Sequence, residues 1–253
     1  MQMWWVGTAT LVLEIGPIRI LTDPALGRAP ARYAAGFGLH YERTADPHPP
    51  EDLGHIDAVL LSHDEHGDNL DEAGRALLPS AGVVLTTEAG AERLGGNARG
   101  LAPYASAEIV RDGFSVTVTA TPARHGPPGS LPLVGRAIGF VLEWAGQSSG
   151  ALYVSGDTVY TRAVAAIAQR WDIGTAILHT GAAGFPILGH VTLDRRDTVK
   201  LARALDPEVI VPVHNGSWSH FHDTAEETIG ALDEAGFGDR VVRPVAGWIS
   251  LPE

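Results

Sequence analysis

The sequence predicts an α/β fold, and three features support this class. Short apolar runs typical of buried strands alternate with helix-like stretches along most of the 253 residues. His and Asp side chains follow directly after several of these runs. No linker, low-complexity tract or close internal repeat divides the sequence, so we expect residues 1–253 to form a single domain.

The elements follow from β-rich runs, turn residues and helical periodicity. Gly16-Pro17 separates the first two runs and predicts a hairpin turn. Residues 24–55 show no sustained period, and we interpret them as a long surface loop. The predicted strands lie at 10–15, 18–21, 58–61, 83–87, 114–120, 152–154, 175–178 and 209–211, and the predicted helices near 88–94, 160–170 and 195–205.

Composition narrows the classes of function. The sequence has no Cys, so a metal would have to be held by His, Asp, Glu or Asn. A formal net charge of -12 opposes binding to nucleic acid, and we expect a small-molecule substrate. The start of the sequence lacks the pattern of a signal peptide and no apolar run is long enough to span a membrane, so we expect a cytoplasmic protein without a membrane partner.

Five of the predicted strands lead into a His or Asp. If the fold gathers these strand ends at one edge, four His and two Asp would surround one cavity. Imidazole and carboxylate together suit zinc, and the carboxylates also suit manganese or iron. A single His at a strand end is more often structural, and Asp157 in Ser155–Thr158 also fits an ordinary turn or helix cap, so the interpretation depends on the whole series.

The ordered series resembles the metallo-β-lactamase superfamily, and more closely its branch of lactonase-like and phospholipase-like hydrolases. The resemblance implies a four-layer αβ/βα sandwich with a two-metal site at one edge. The segments that carry it are Gly7–Thr10 with Leu21–Pro24, Ile56–Asp71, Thr121–His125, Ser155–Thr158 and Val211–His214. The metal ligands that it implies are His63, His66, Asp68, His125, Asp157 and His214.

The resemblance also implies roles. His125 would complete the first metal's histidine set, Asp157 would bridge both ions, and His214 with Asp68 would hold the second. One or two divalent ions, zinc before manganese or iron, would lower the pKa of a water molecule and polarise the bond being cut. Asp68 would hold that water and move a proton to the leaving group. The expected activity is hydrolysis of an ester, lactone, amide or phosphodiester bond in a small molecule.

The first ligand segment departs from the family's HxHxDH pattern. Here the chain reads Ser62-His63-Asp64-Glu65-His66-Gly67-Asp68-Asn69, so either His63 or Asp64 is the first ligand. Asn69 stands where the family's last His would bind the second metal. Because an amide oxygen is a weaker, neutral ligand, this substitution predicts loose or absent occupancy of the second position, or a harder metal than zinc.

Further residues have two open interpretations each. His190 precedes a predicted helix and resembles a segment that supplies a proton-donating or substrate-orienting His in several branches, but it also fits a structural helix start. His179, Trp218 and His220 are expected to line the substrate cavity, although residues 217–222 also fit a half-buried loop. Asp23 is either a partner that orients a ligand His or part of an Asp-Pro turn.

Two other functions remain open at this point. A nuclease would use the same metal ligands but needs a basic groove, which the acidic balance opposes. A non-catalytic metal-binding protein with a degenerate site would explain Asn69 and the shifted first histidine.

Overall fold

The computed structural model describes residues 1–36, 39–185 and 189–253. The strands are β1 (Gln2–Gly7), β2 (Thr10–Ile15), β3 (Ile18–Thr22), β4 (Ala31–Gly36), β5 (Leu39–Arg43), β6 (Ala58–Leu60), β7 (Val83–Thr86), β8 (Ala98–Gly100), β9 (Ser106–Arg111), β10 (Phe114–Pro122), β11 (Ile138–Trp144), β12 (Ala151–Val154), β13 (Ile173–His179), β14 (Gly184–Phe185), β15 (Gly189–His190), β16 (Val209–Val213) and β17 (Trp248–Ser250). The α-helices are α1 (Glu72–Leu77), α2 (Glu88–Leu94), α3 (Leu131–Val134), α4 (Arg162–Ala165), α5 (Arg195–Leu205) and α6 (Ala225–Glu234).

The strands form two large sheets and two small ladders. The seven-stranded sheet has the order β17-β1-β2-β3-β6-β7-β8, and the six-stranded sheet has the order β16-β13-β12-β11-β10-β9. In the second sheet β12, β13 and β16 are parallel, whereas β11 is antiparallel to both β10 and β12. Strands β10, β12, β13 and β16 therefore run in the same direction and end at the same edge.

The two sheets pack face to face because their side chains alternate between faces. In β2, Leu11 and Leu13 join the core cluster between the sheets, whereas Val12 joins the cluster on the outer face. In β11, Phe140 belongs to the central core and Val141 to the outer cluster.

Helices cover both outer faces. Leu78 and Leu94 pack on the first sheet, beside α1 and in α2, and Leu201 of α5 with Leu232 of α6 packs on the second. The arrangement is the four-layer αβ/βα sandwich that the sequence predicts, and this prediction is confirmed.

Short local signals fix the helix starts. The Asp194 side chain accepts from the Asp197 backbone N–H and begins α5, and Thr224 with Glu227 forms a capping box at α6. Asp71 caps α1 by accepting from the Gly74 N–H. None of the helices within the described ranges is long and apolar enough to cross a membrane.

The structure corrects the interpretation of residues 24–55 as an irregular surface loop. This segment contains the antiparallel pair β4 and β5, and Tyr41 and Arg43 of β5 are buried. Exposed His40 and Glu42 alternate with them. An Arg at an inward position hides the period-two pattern, because a buried Arg needs partners that the sequence does not reveal. Residues 37 and 38, within the same predicted loop, lie outside the described residues.

Candidate metal centre

The ends of the strands place the candidate ligands at one edge of the sandwich. His63 comes three residues after β6, and His125 comes three residues after β10. Asp157 follows β12, and His214 directly follows β16. Because β10, β12 and β16 end at the same edge, residues far apart in sequence meet there.

His63, His66 and His125 form the first cluster, which we call the three-histidine group. His66 Nδ1 lies 2.9 Å from His63 Nε2 and 3.1 Å from His125 Nε2. The ring planes of His63 and His66 are nearly perpendicular. Three ring nitrogens therefore converge on one point, as ligands of a single cation do.

Hydrogen bonds on the far side of two rings fix their orientation. Ser62 Oγ lies 3.0 Å from His63 Nδ1, and the Val191 carbonyl lies 2.9 Å from His125 Nδ1. Since the Val191 carbonyl can only accept, His125 Nδ1 carries the proton. The Ser62 hydroxyl donates to Asp23 Oδ1 at 2.8 Å, so His63 Nδ1–H donates to Ser62. Both Nε2 atoms thus present lone pairs to the centre of the group, which is the tautomer that a metal ligand needs.

The electrostatic environment keeps these imidazoles neutral. Burial lowers the pKa of His66 to about 4, and neighbouring His125 contributes to the same shift. Burial also lowers the pKa of His63 and of His125. Neutral imidazole is the form that binds metal, so the group is ready to bind an ion near neutral pH without first losing a proton.

Asp68, Asp157 and His214 form the second cluster, which we call the acidic group. His214 Nε2 lies 3.2 Å from Asp68 Oδ2 and 3.7 Å from Asp157 Oδ1. All three side chains are buried. Among the described residues neither ring nitrogen of His214 has a hydrogen-bond partner of good geometry. A buried imidazole that faces two carboxylate oxygens without such a bond fits a ligand set for a divalent ion.

The acidic group holds its charges as a coupled set. Burial opposes ionisation of Asp157, but the charge of His214 and a hydrogen bond from His179 outweigh it and hold the pKa of Asp157 well below its usual range. Burial would lower the pKa of His214, but Asp157 and Asp68 raise it to about 9. The group therefore carries two carboxylates around one imidazolium. A bound cation would replace the proton of that imidazolium.

The backbone at His214 adopts the left-handed conformation, with φ of 59°. A non-glycine residue there is strained, and the surrounding structure must hold it. The His214 N–H donates to the Thr8 carbonyl at 2.9 Å, which fixes the turn that directs the ring into the site.

A buried polar chain runs behind both groups. Asp23 Oδ1 accepts from the backbone N–H and the hydroxyl of Ser62, each at 2.8 Å. His179 Nδ1 lies 3.0 Å from Asp157 Oδ1, and its Nε2 lies 3.9 Å from Asp23 Oδ2. Burial, together with the charge of Asp157, raises the pKa of Asp23 to about 8. Asp23 therefore helps to orient a ligand histidine, which is one of its two interpretations, because it accepts from Ser62 and Ser62 in turn contacts His63.

The structure distinguishes between the two candidates for the first ligand. Asp64 is turned away from both groups and forms an ion pair with Arg93 of α2, whose Nε lies 3.0 Å from Asp64 Oδ2. His63 is the one that joins the cluster. Asn69 is fully buried and donates from Nδ2 to Ser62 Oγ at 3.3 Å, whereas its Oδ1 has no hydrogen-bond partner within the described residues.

The other predicted residues occupy different positions around the site. His179 is fully buried behind Asp157, so its expected place in the wall of the substrate cavity is wrong: no part of its ring is accessible. Trp218 is buried in an aromatic cluster, with its indole N–H donating to Thr8 Oγ1 at 2.8 Å. His220 is also buried, and its Nε2 lies 3.1 Å from Asp68 Oδ2. His190 has a half-exposed side chain 3.6 Å from Asp194 and belongs to neither group.

Strand β5 supports the site in a way that the sequence does not reveal. The Tyr41 hydroxyl accepts from the Gly67 N–H at 2.9 Å, next to Asp68 in the chain. Arg43 forms a fully buried ion pair with Asp71, which follows the ligand segment. The alternation of apolar Leu39 and Tyr41 with polar His40 and Glu42 is the sequence signal that could have shown the strand, but it gives no sign that Arg43 is buried.

Comparisons with known proteins give the family. A family model described as "Beta-lactamase superfamily domain" matches residues 18–215. A UPF0173 metal-dependent hydrolase of Pyrococcus abyssi is 26% identical over 234 residues, which cover 88% of each chain.

Solved structures give the same fold. The isothiocyanate hydrolase from Delia radicum gut bacteria superposes with a TM-score of 0.84 at 26% identity, and the match covers 100% of this chain and 99% of that one. The diiron β-hydroxylase CmlA from Streptomyces venezuelae has a TM-score of 0.68 at 15% identity, covering 100% of this chain and 54% of that one, and shows the fold alone.

Proposed function

The chain belongs to the metallo-β-lactamase superfamily and is a metal-dependent hydrolase, and we propose that it cleaves a small molecule with water at the two ligand groups. The substrate bond that we propose is an ester, lactone, amide or phosphodiester. The observation that carries this proposal is the presence of two ligand groups, one of three imidazoles and one of two carboxylates with an imidazole, at the same edge of the sandwich; all six side chains are buried except the partly exposed His66.

The residues present fit divalent ions. His63, His66 and His125 would hold the first ion, for which zinc is our first choice because its usual ligands include several imidazoles. Asp68, Asp157 and His214 would hold the second, and Asp157 would be shared between them. The carboxylates of this group suit zinc and also manganese or iron.

The chain's own residues account for orientation and proton movement. Bound ions would supply a lowered pKa for a water molecule and a positive charge that polarises the bond being cut. Ser62 and Val191 hold the rings of His63 and His125 in the required tautomer. Asp68 would accept a proton from water and pass it to the leaving group, and we assign His190, at the exposed β15, to proton donation or substrate orientation.

Isothiocyanate hydrolysis is a second candidate substrate chemistry, favoured by the likeness to the isothiocyanate hydrolase over the whole chain. Water would add its oxygen to the central carbon of R–N=C=S, the carbon–nitrogen bond would break, and the nitrogen would take both protons to give an amine and carbonyl sulfide. Aromatic rings beside the acidic group suit the apolar R group, since the Phe221 ring centroid lies 4.5 Å from that of His214.

The net charge of -12 supports a small-molecule substrate over nucleic acid. The test of the proposal must separate it from two alternatives, a nuclease and a non-catalytic metal-binding protein. The cytoplasmic location stays a prediction.

The test is to purify the chain, measure its metal content, and assay esters, lactones, bis(p-nitrophenyl) phosphate and benzyl isothiocyanate with zinc, manganese and iron. We expect turnover of one substrate class that disappears on chelation and in His66→Ala, with Asp64→Asn as the matched control that keeps activity. Complete inactivity with both groups loaded would favour the non-catalytic function.

A further inference from the structure

The acidic group provides three protein ligands, one fewer than a closed four-coordinate site uses. The residue after Asp68 in the chain is Asn69, whose amide nitrogen is engaged with Ser62. Its Oδ1 is buried and has no hydrogen-bond partner among the described residues. A neutral amide oxygen is a weak ligand, so Asn69 adds little to the three ligands of the acidic group, one of which, Asp157, would be shared with the first ion.

His220 approaches the acidic group from a different loop. Its Nε2 lies 3.1 Å from Asp68 Oδ2, the same oxygen that lies 3.2 Å from His214 Nε2. Two imidazole nitrogens thus meet one carboxylate oxygen, at nearly equal distances. His220 is separated from Asp68 by 152 residues, so this meeting is a product of the fold and not of local sequence.

The loop that carries His220 is fixed from several sides. The Ser219 N–H donates to the Glu42 carbonyl at 2.9 Å, and the Gly184 N–H donates to the His220 carbonyl at 3.1 Å. The His220 ring packs between Tyr41 and Phe221, with centroid distances of 4.6 Å and 4.7 Å. The imidazole is therefore held next to Asp68 before any ion binds, which lowers the conformational cost of binding one.

We propose that His220 is the fourth protein ligand of the second ion and replaces the function that Asn69 cannot perform. The inference rests on the proposed function, because it requires the acidic group to bind an ion. It changes the expectation from the sequence: the second position is completed from the loop after β16 instead of being left weak by Asn69. It also moves His220 from the wall of the substrate cavity to the metal centre.

The test measures metal binding and not turnover. Wild type and variants are dialysed against buffered zinc, their zinc content is measured by mass spectrometry, and cobalt absorption spectra report the ligands at each position. We expect wild type to bind two ions, and His220→Ala and His220→Gln to keep the first while the second binds at least about 100-fold more weakly, beyond what loss of an orienting partner alone produces. His222→Ala, in the same loop and exposed, is the matched control and should keep both.

His220→Gln separates a ligand from a positioning residue. Its amide can still donate a hydrogen bond to Asp68 but is a poor ligand, so wild-type affinity for the second ion in this variant would overturn the proposal. The double variant Asn69→His/His220→Ala should regain the second ion, and failure to regain it in a folded protein would show that His220 does not act in place of residue 69.

The three-histidine group provides the internal reference in the same titration. Binding of the first ion and an unchanged thermal midpoint show that each variant folds. If no ion binds to wild type, the proposed function fails. If the first ion binds to wild type and the second does not, the second-ion part of the proposed function fails together with the inference about His220. If wild type binds both and His220→Gln also keeps both, only the inference about His220 fails.

Discussion

Replacing Arg43 by Met should destabilise the protein strongly, because it breaks a buried ion pair on one side. Arg43 Nη1 lies 3.1 Å from Asp71 Oδ2, and neither side chain is accessible to solvent. The guanidinium also donates to the Ala25 carbonyl at 3.0 Å and to the Ala45 carbonyl at 3.1 Å. Methionine keeps most of the apolar volume, so the change isolates the loss of the charge and its hydrogen bonds.

The magnitude follows from what is left behind. Removing one partner of a buried pair costs about 3–5 kcal/mol, because the other charge stays buried without compensation. Asp71 would still accept from the backbone N–H groups of Gly27 and Gly74, which favours the lower end of that range. For a chain of this size each kcal/mol lowers the thermal midpoint by about 2–4 °C, so we expect a fall of roughly 6–20 °C.

The assay is urea denaturation of a double-mutant cycle with Arg43→Met, Asp71→Leu and the double variant. The double variant should be markedly more stable than the sum of the single losses predicts, because it leaves no buried charge alone. Arg243→Met is the matched control: its partner Glu226 lies 2.7 Å away in an exposed pair, and its loss should change stability little. The reasoning is refuted if Arg43→Met costs no more than this control, or if the cycle is additive.

Three further predictions concern pH, packing and catalysis. Because the pKa of His214 is raised to about 9, an ion must displace its proton, and the metal affinity of the acidic group should fall about tenfold per pH unit below 9 and level off above it. The metal affinity of the three-histidine group should stay nearly constant from pH 7 upwards. Calorimetric titrations that show the same pH slope for both groups would contradict this. Gly74→Ala would place a Cβ 1.7 Å from the Pro24 carbonyl oxygen, and urea denaturation should show a free energy of unfolding lower by more than about 3 kcal/mol. At exposed Gly230 in α6 an added Cβ meets nothing within 4 Å, so Gly230→Ala should raise the free energy of unfolding by about 0.5–1 kcal/mol. His190→Ala should lower kcat without changing metal content, and unchanged kcat on an identified substrate would remove His190 from the mechanism.

The strand ends were the part of the site that could be predicted from sequence. His125 and His214 follow apolar runs that become β10 and β16, and α2 begins and ends where its pattern predicts, at Glu88 and Leu94. The family resemblance, confirmed by the match over residues 18–215, predicted the four-layer sandwich, which periodicity alone could not predict.

Contacts between distant segments could not be predicted. The choice between His63 and Asp64 depends on Arg93, which is 29 residues from Asp64 and captures its carboxylate. Pattern analysis assigns a side chain to a strand end or a helix face, but it does not show which distant charge lies opposite. The same holds for β5, where a buried Arg43 was hidden because its partner Asp71 lies in another segment.

Each ligand group draws on both sheets, since His63, His66 and Asp68 follow β6 of the first sheet whereas His125, Asp157 and His214 follow strands of the second. The distances between the metal ligands therefore depend on how the two sheets are aligned. A core substitution far from the edge that lets one sheet slide by about 1 Å would move the ligand atoms apart. Metal binding would then weaken, as it does when a ligand is lost, because a functional site must be held within about 0.5 Å. Selection for hydrolysis would then act on the packing of the whole interior, and a large-to-small change in the central core should appear first as weakened metal binding, before any loss of folding.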